Sequence, residues 1–153
     1  MNSEALQILI VEDQFLIAKQ LEYIIVSCGH IHVGTAANRP TASALARSQQ
    51  PDIALVDLSL ADGPTGKDVA DEIASVSNAK VLFLTANRRR IYDDFGGAIG
   101  VFEKPFTRAA ISAVLSYLAW RLDGSESEPD EIEKPEGLDL SPAYARRWYP
   151  EVA

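Results

Sequence analysis

A chain of 153 residues, 47% of them hydrophobic, is long enough for one domain with a real core and a short appendage. Its net charge of −8 is concentrated in residues 123–153, where nine acidic side chains outnumber three basic ones, and neither part has the basic footprint of a nucleic-acid binder. The single cysteine, Cys28, excludes an internal disulfide, and with no secretory leader pattern and no apolar run of roughly 20 residues the expectation is a cytoplasmic protein without a membrane partner.

"LQILIV" (Leu6 to Val11) is a short apolar run of the kind that forms a buried strand. Phe15, Ile17, Ala18, Leu21, Ile24, Ile25 and Cys28 then recur at helical spacing, and Gly29 is a suitable stop. "HIHVGTA" predicts a second strand, with His30 and His32 on one face, and residues 40–49 a second helix with Pro40 in its first turn. "DIALVD" is a third strand, residues 66–76 a third helix, and "KVLFLT" a fourth strand. A poor fourth helix is expected over 88–97, opening on Arg88, Arg89 and Arg90 and closing on Gly96 and Gly97. "GVFE" is a short fifth strand. Thr107 then caps a long fifth helix with Ile111, Val114, Leu115, Leu118 and Leu122 on its apolar stripe.

Five strands alternating with five helices predict an α/β domain with a parallel sheet over residues 1–122. Residues 123–137 are acidic and contain two prolines, which reads as a linker. Residues 138–153 form a last apolar segment. There Leu140, Tyr144 and Trp148 recur every four residues, Ser141 can cap a helix and Pro142 suits its first position. The expectation is a short helix that persists only where that face is buried, and the docking surface expected is the one formed by the fourth helix, fifth strand and fifth helix.

Right-handed crossovers restrict how such strands are arranged, and a common order is 2-1-3-4-5. In that order Glu12 and Asp13, ending strand 1, converge with Asp57, ending strand 3. Three carboxylates so close raise each other's pKa unless a cation neutralises them, and an oxygen-only site with few protein ligands suits Mg²⁺. Thr85 ends strand 4 and Lys104 follows strand 5 at the same sheet edge. A hydroxyl and an ammonium there can hold the oxygens of a phosphoryl group on Asp57.

"VED" after strand 1, "VD" ending strand 3, "TA" after strand 4 and "KPF" after strand 5 together resemble the receiver domain of two-component response regulators, over about residues 5–122. The resemblance implies a flavodoxin-like, doubly wound five-stranded sheet with helices on both faces. It also implies that Asp57 is the phosphoacceptor and Asp13 a direct Mg²⁺ ligand. Glu12 then acts through metal-bound water, and the backbone carbonyl of Ser59 is a further ligand. Thr85 is implied as the switch hydroxyl, and Lys104, followed by Pro105, as the phosphate-contacting lysine. The implied partners are a sensor histidine kinase or a histidine phosphotransfer protein upstream and an unknown target protein downstream. A homodimer through the fourth helix, fifth strand and fifth helix is also left open. Many receivers carry an aromatic switch three residues before the lysine. Here that residue is Val101, and strand alternation sends Phe102 to the other face.

Other readings are weaker. Asp57 alone could be a turn or capping carboxylate, but not in register with Glu12, Asp13, Thr85 and Lys104. A phosphatase of the haloacid dehalogenase type needs a second acid two residues after the nucleophile, where this chain has Ser59. A nucleotide-binding flavodoxin relative needs a Gly- or Ser/Thr-rich loop after strand 1, where this chain has "VEDQF". His30 and His32 read as surface residues of an edge strand, Arg88 to Arg90 as a solvated helix start, and Gly63 and Gly66 as turn residues. The serious alternative is an unphosphorylated pseudo-receiver acting purely as an interaction module. A phosphoacceptor of this kind is not an enzyme in the usual sense, since its turnover is limited by hydrolysis of its own acyl phosphate.

Overall fold

The computed structural model describes residues 5–58, 66–85, 97–103, 106–123 and 133–151. Ser59, Gly63, Arg88 to Arg90, Lys104 and Pro105, and the fourth helix expected over 88–97 apart from Gly97, lie outside the described residues. The elements in chain order are β1 (Gln7–Val11), α1 (Phe15–Ser27), β2 (Ile31–Ala36), α2 (Arg39–Gln49), β3 (Ile53–Asp57) and α3 (Gly66–Val76). They continue with β4 (Lys80–Thr85), β5 (Gly100–Glu103), α4 (Arg108–Asp123), β6 (Leu138–Leu140) and α5 (Pro142–Trp148).

The strands form one sheet in the order β2-β1-β3-β4-β5-β6. The first five are parallel, in the order read from the sequence, and β6 adds an antiparallel sixth. Period-two alternation sorts their side chains into two layers. Leu9, Val11, Ala54, Val56, Val81, Phe83 and Val101 face one way and meet Val69, Ala70 and Ile73 of α3 and Ala42 and Ala46 of α2. Ile8, Ile10, Ile53, Leu55, Leu82, Leu84 and Phe102 face the other way and meet α1 and α4. Val101 and Phe102 thus lie on opposite faces, as alternation requires. Both sides of the sheet are apolar because helices cover both, which is why its strands read as unbroken hydrophobic runs.

The helix ends follow local chemistry. Gly29, at φ +87°, ends α1 in a conformation that costs glycine nothing. The Asn38 side chain accepts the Thr41 N–H at 3.0 Å and starts α2. Thr107 caps α4 by accepting the Ala110 N–H at 3.0 Å. Ile24, Ile25 and Leu21 of α1 are buried against the sheet, each contributing roughly 1.5–3 kcal/mol.

α4 is apolar on two flanks. Ile111, Val114, Leu115 and Leu118 face the sheet, while Tyr117 and Arg121 meet the C-terminal segment and Trp120 packs beside them. Tyr117 is fully buried although it lies off the stripe read from the sequence. Its cover is supplied by α5. Trp148 packs edge-on to it at 6.1 Å between ring centroids, and the Tyr117 and Tyr149 hydroxyls are 2.6 Å apart. Ser141 caps α5 by accepting the Tyr144 N–H at 3.3 Å, with Pro142 in the first turn.

Candidate functional site

β1 delivers its two acids to the C-terminal edge of the sheet. The Glu12 N–H donates to the Ala36 carbonyl at 2.9 Å, which continues the β1–β2 ladder. Its carboxylate folds back and accepts the Gln14 N–H at 3.1 Å, so the turn into α1 fixes the side chain. β3 ends on Asp57, and the next N–H, of Leu58, donates to the Leu84 carbonyl at 3.1 Å. Asp57 and Glu12 are buried and Asp13 is half-buried. The three residues each present a carboxylate oxygen, and all three oxygens lie within 4.8 Å of one another. Among the described residues this is the only such group of three or more metal-ligating side chains.

Thr85 is buried at the end of β4, one residue beyond the partner of Asp57 on that strand and opposite Glu103 of β5. The structure therefore brings Glu12, Asp13, Asp57 and Thr85 to one edge, while Ser59 and Lys104 lie outside the described residues. Asp13 Oδ1 is buried and has no hydrogen-bond partner among them. A buried anionic oxygen without a donor is costly unless a cation meets it. An all-oxygen donor set from a group that includes this orphaned atom's carboxylate fits a hard divalent ion such as Mg²⁺.

The model of the response regulator receiver domain matches residues 8–116. The chain belongs to the response regulator receiver family. This receiver is 36% identical over 114 residues to the phyllosphere-induced regulator PhyR of Methylorubrum extorquens, covering 73% of this chain and 43% of the relative. A crystal structure of a variant of the anti-anti-sigma factor PhyR from Bartonella quintana superposes with a TM-score of 0.73 at 29% identity, over 81% of this receiver and 52% of that chain. The receiver thus spans about half the length of these relatives. A two-component response regulator of the LuxR family from Aurantimonas sp. SI85-9A1 is similar in fold, with a TM-score of 0.69 at 21% identity, over 97% of this receiver and 99% of that chain. That likeness reaches past α4 into the C-terminal segment.

The histidines of the edge strand are structural. His30 Nδ1 accepts the Leu6 N–H at 3.0 Å, and burial holds its pKa below the ordinary value. His32 Nε2 lies 2.8 Å from the Thr35 hydroxyl and Nδ1 3.4 Å from Glu22. Phe15, read from the sequence as part of the apolar spacing of α1, is instead 70% exposed, and its neighbour Leu16, which sequence reasoning passed over, is 80% exposed where α1 leaves the acidic cluster. Their position as apolar residues directly after "VEDQ" was the available signal.

No helix among the described residues is long and apolar enough to cross a membrane.

Proposed function

We propose that the chain is the phosphoacceptor of a cytoplasmic phosphorelay, with Asp57 as the accepting residue. The observation that supports this most is the meeting of three carboxylates from β1 and β3 beside an orphaned Asp13 Oδ1. An Asp57 carboxylate oxygen attacks phosphorus of a phosphohistidine on a sensor kinase or histidine phosphotransfer protein. The P–N bond breaks, its electron pair returns to the imidazole, and an acyl phosphate remains on Asp57. Asp13, Asp57 and the Ser59 carbonyl would hold Mg²⁺, with Glu12 acting through bound water. The ion supplies charge neutralisation for the phosphoryl oxygens when bound. Thr85 donates a hydroxyl hydrogen bond to a phosphoryl oxygen and Lys104 its ammonium. Phe15 and Leu16 offer the donor protein an apolar footing beside the crevice.

Hydrolysis of the acyl phosphate returns Asp57 to its resting state, so the protein turns over slowly and is not an enzyme in the ordinary sense. The output is phosphorylation-dependent binding to another protein. The net charge of −8 disfavours contact between these residues and the phosphates of DNA. The test is intact-mass measurement after incubation with acetyl phosphate or a cognate phosphodonor and Mg²⁺. One phosphoryl group is expected on the wild type and none on Asp57→Asn. Equal labelling of Asp57→Asn overturns the assignment, and no labelling of either favours the pseudo-receiver.

A further inference from the structure

In a five-stranded sheet of this order β5 is an edge, with backbone donors and acceptors facing outward. Here that edge is filled. Gly100, Val101 and Phe102 pair with Leu140, Asp139 and Leu138. The ladder is extended at both ends, by the Ser141 N–H to the Ile99 carbonyl at 2.7 Å and the Glu103 N–H to the Gly137 carbonyl at 3.3 Å. α5 then lies on α4. The Arg121 guanidinium sits over the rings of Trp120 at 4.5 Å, Tyr149 at 4.7 Å and Trp148 at 5.5 Å. Arg121 Nε also donates to the Tyr117 hydroxyl at 3.3 Å.

Two further features tie this cover to the face beneath it. A Cβ added at Gly100 would clash with the Asp139 carbonyl oxygen and stand 3.0 Å from Leu140 Cα, and its nearest neighbours all belong to the cover's backbone. The close approach that glycine permits therefore serves the C-terminal segment. At the other end, Gly137 packs against the Phe102 ring, and Phe102 stacks on Phe106 at 5.8 Å. These two rings bracket residues 103–105 in sequence, where Lys104 lies. The tether between α4 and the cover includes residues 124–132, which hold four acidic side chains and no cation.

We propose that residues 133–151 are an intramolecular strap over a protein-docking face made of the β5 edge and the aromatic row of α4. The occupant this face fits is a partner segment of the same form: an extended stretch adding antiparallel to β5, followed by a short helix presenting aromatic residues four apart. The strap itself displays that chemistry in Leu138, Leu140, Tyr144 and Trp148. Being tethered, it competes at an effective concentration on the order of mM, so a free partner gains access only when the strap loosens. The state of Asp57 sets that loosening. Lys104, next in sequence to the end of β5, is drawn toward a phosphoryl group and pulls on Glu103, whose N–H donates to the Gly137 carbonyl. A homodimer through this face meets the same competitor. The link to Asp57 rests on the phosphoacceptor reading, whereas the cover does not.

The test uses the full chain and a fluorescent peptide of residues 133–151 as probe. Leu138→Asp damages the strap and leaves the face intact, and Gly100→Ala damages the face itself. Peptide binding to Leu138→Asp is expected to be at least about tenfold tighter than to the wild type. Gly100→Ala should bind no better than the wild type, although hydrogen exchange over 138–149 rises in both variants. Unchanged exchange over 8–11 and 53–57 shows that the core stays folded. Equal peptide binding by all three proteins overturns the docking face, and a wild type that light scattering finds to be a dimer, with Leu138→Asp a monomer, overturns the intramolecular strap. Beryllofluoride with Mg²⁺ should raise exchange over 138–149 in the wild type. Fluorine resonances of bound beryllofluoride are read separately. Their absence counts against the phosphoacceptor reading, while bound beryllofluoride with an unmoved strap overturns the coupling.

Discussion

Replacing Asp13 by Asn should stabilise the protein when no divalent ion is bound. The three carboxylate oxygens of Glu12, Asp13 and Asp57 lie within 4.8 Å of one another. Two unit charges at that distance repel by about 3.5 kcal/mol at an effective dielectric constant near 20. Asp13 is half-buried, and solvent screening reduces its share to on the order of 2 kcal/mol. For a chain of this size that corresponds to a rise in melting temperature of roughly 4–8 °C. Far-UV circular dichroism melts in a chelator, then in Mg²⁺, measure it. The wild type should gain from Mg²⁺ and Asp13→Asn should gain much less, because the amide that replaces the carboxylate carries no charge for the ion to neutralise. If Asp13→Asn melts at or below the wild type in chelator, or if Mg²⁺ raises both equally, the cluster is not a strained anionic site awaiting a cation.

Acidification should weaken the β1–β2 end of the sheet. Burial holds the His30 pKa below its unfolded value, so its contribution is present above pH ~6.5 and is lost as pH falls through the lower folded value. Protonation removes the acceptor for the Leu6 N–H, worth about 1 kcal/mol, and His30→Asn, whose side-chain oxygen can replace Nδ1, should flatten the dependence of melting temperature on pH relative to the wild type. The strap should loosen in alkali. Burial, then the Tyr149 hydroxyl, push the Tyr117 pKa up to about 12, so its contribution holds below pH ~10 and is lost as pH rises through about 12. Tyrosinate absorbance should show Tyr149→Phe lowering that transition while leaving it above the ordinary value, with Tyr117→Phe identifying the band.

The parallel part of the fold was legible because burial on both faces leaves uninterrupted apolar runs in β1, β3 and β4, with Glu12 just after the first and Asp57 and Thr85 closing the others at the same edge. The acidic cluster followed once the common order 2-1-3-4-5 was taken, since that order places the ends of β1 and β3 side by side. α5 was legible from Ser141 and Pro142, which are local signals. β6 was not. Three residues, "LDL", carry too short a pattern to show a period, and their pairing is decided by an edge about 40 residues away. Tyr117 was missed for the same reason, because the element that buries it comes later in the chain. Gly100 gave a clue in a form that only geometry could interpret: a glycine opening a strand whose neighbour approaches too closely for any side chain.

The distance along the chain between β5 and β6 also sets an order of events during synthesis. Gly100 leaves the ribosome about 40 residues ahead of its partner Leu140. At ~5–20 residues per second the β5 edge waits roughly 2–8 s for its cover. Through that interval a nascent chain that has already assembled β1 to β5 presents an unpaired ladder, the kind of surface on which neighbouring chains join edge to edge. β5 is only four residues long and ends on an exposed glutamate, which makes it a poor template for such joining. The strap thus pairs the later-formed of the two margins of the parallel sheet, β2 being the other, and until it arrives the shortness and terminal charge of β5 are what keep that margin from joining neighbouring chains.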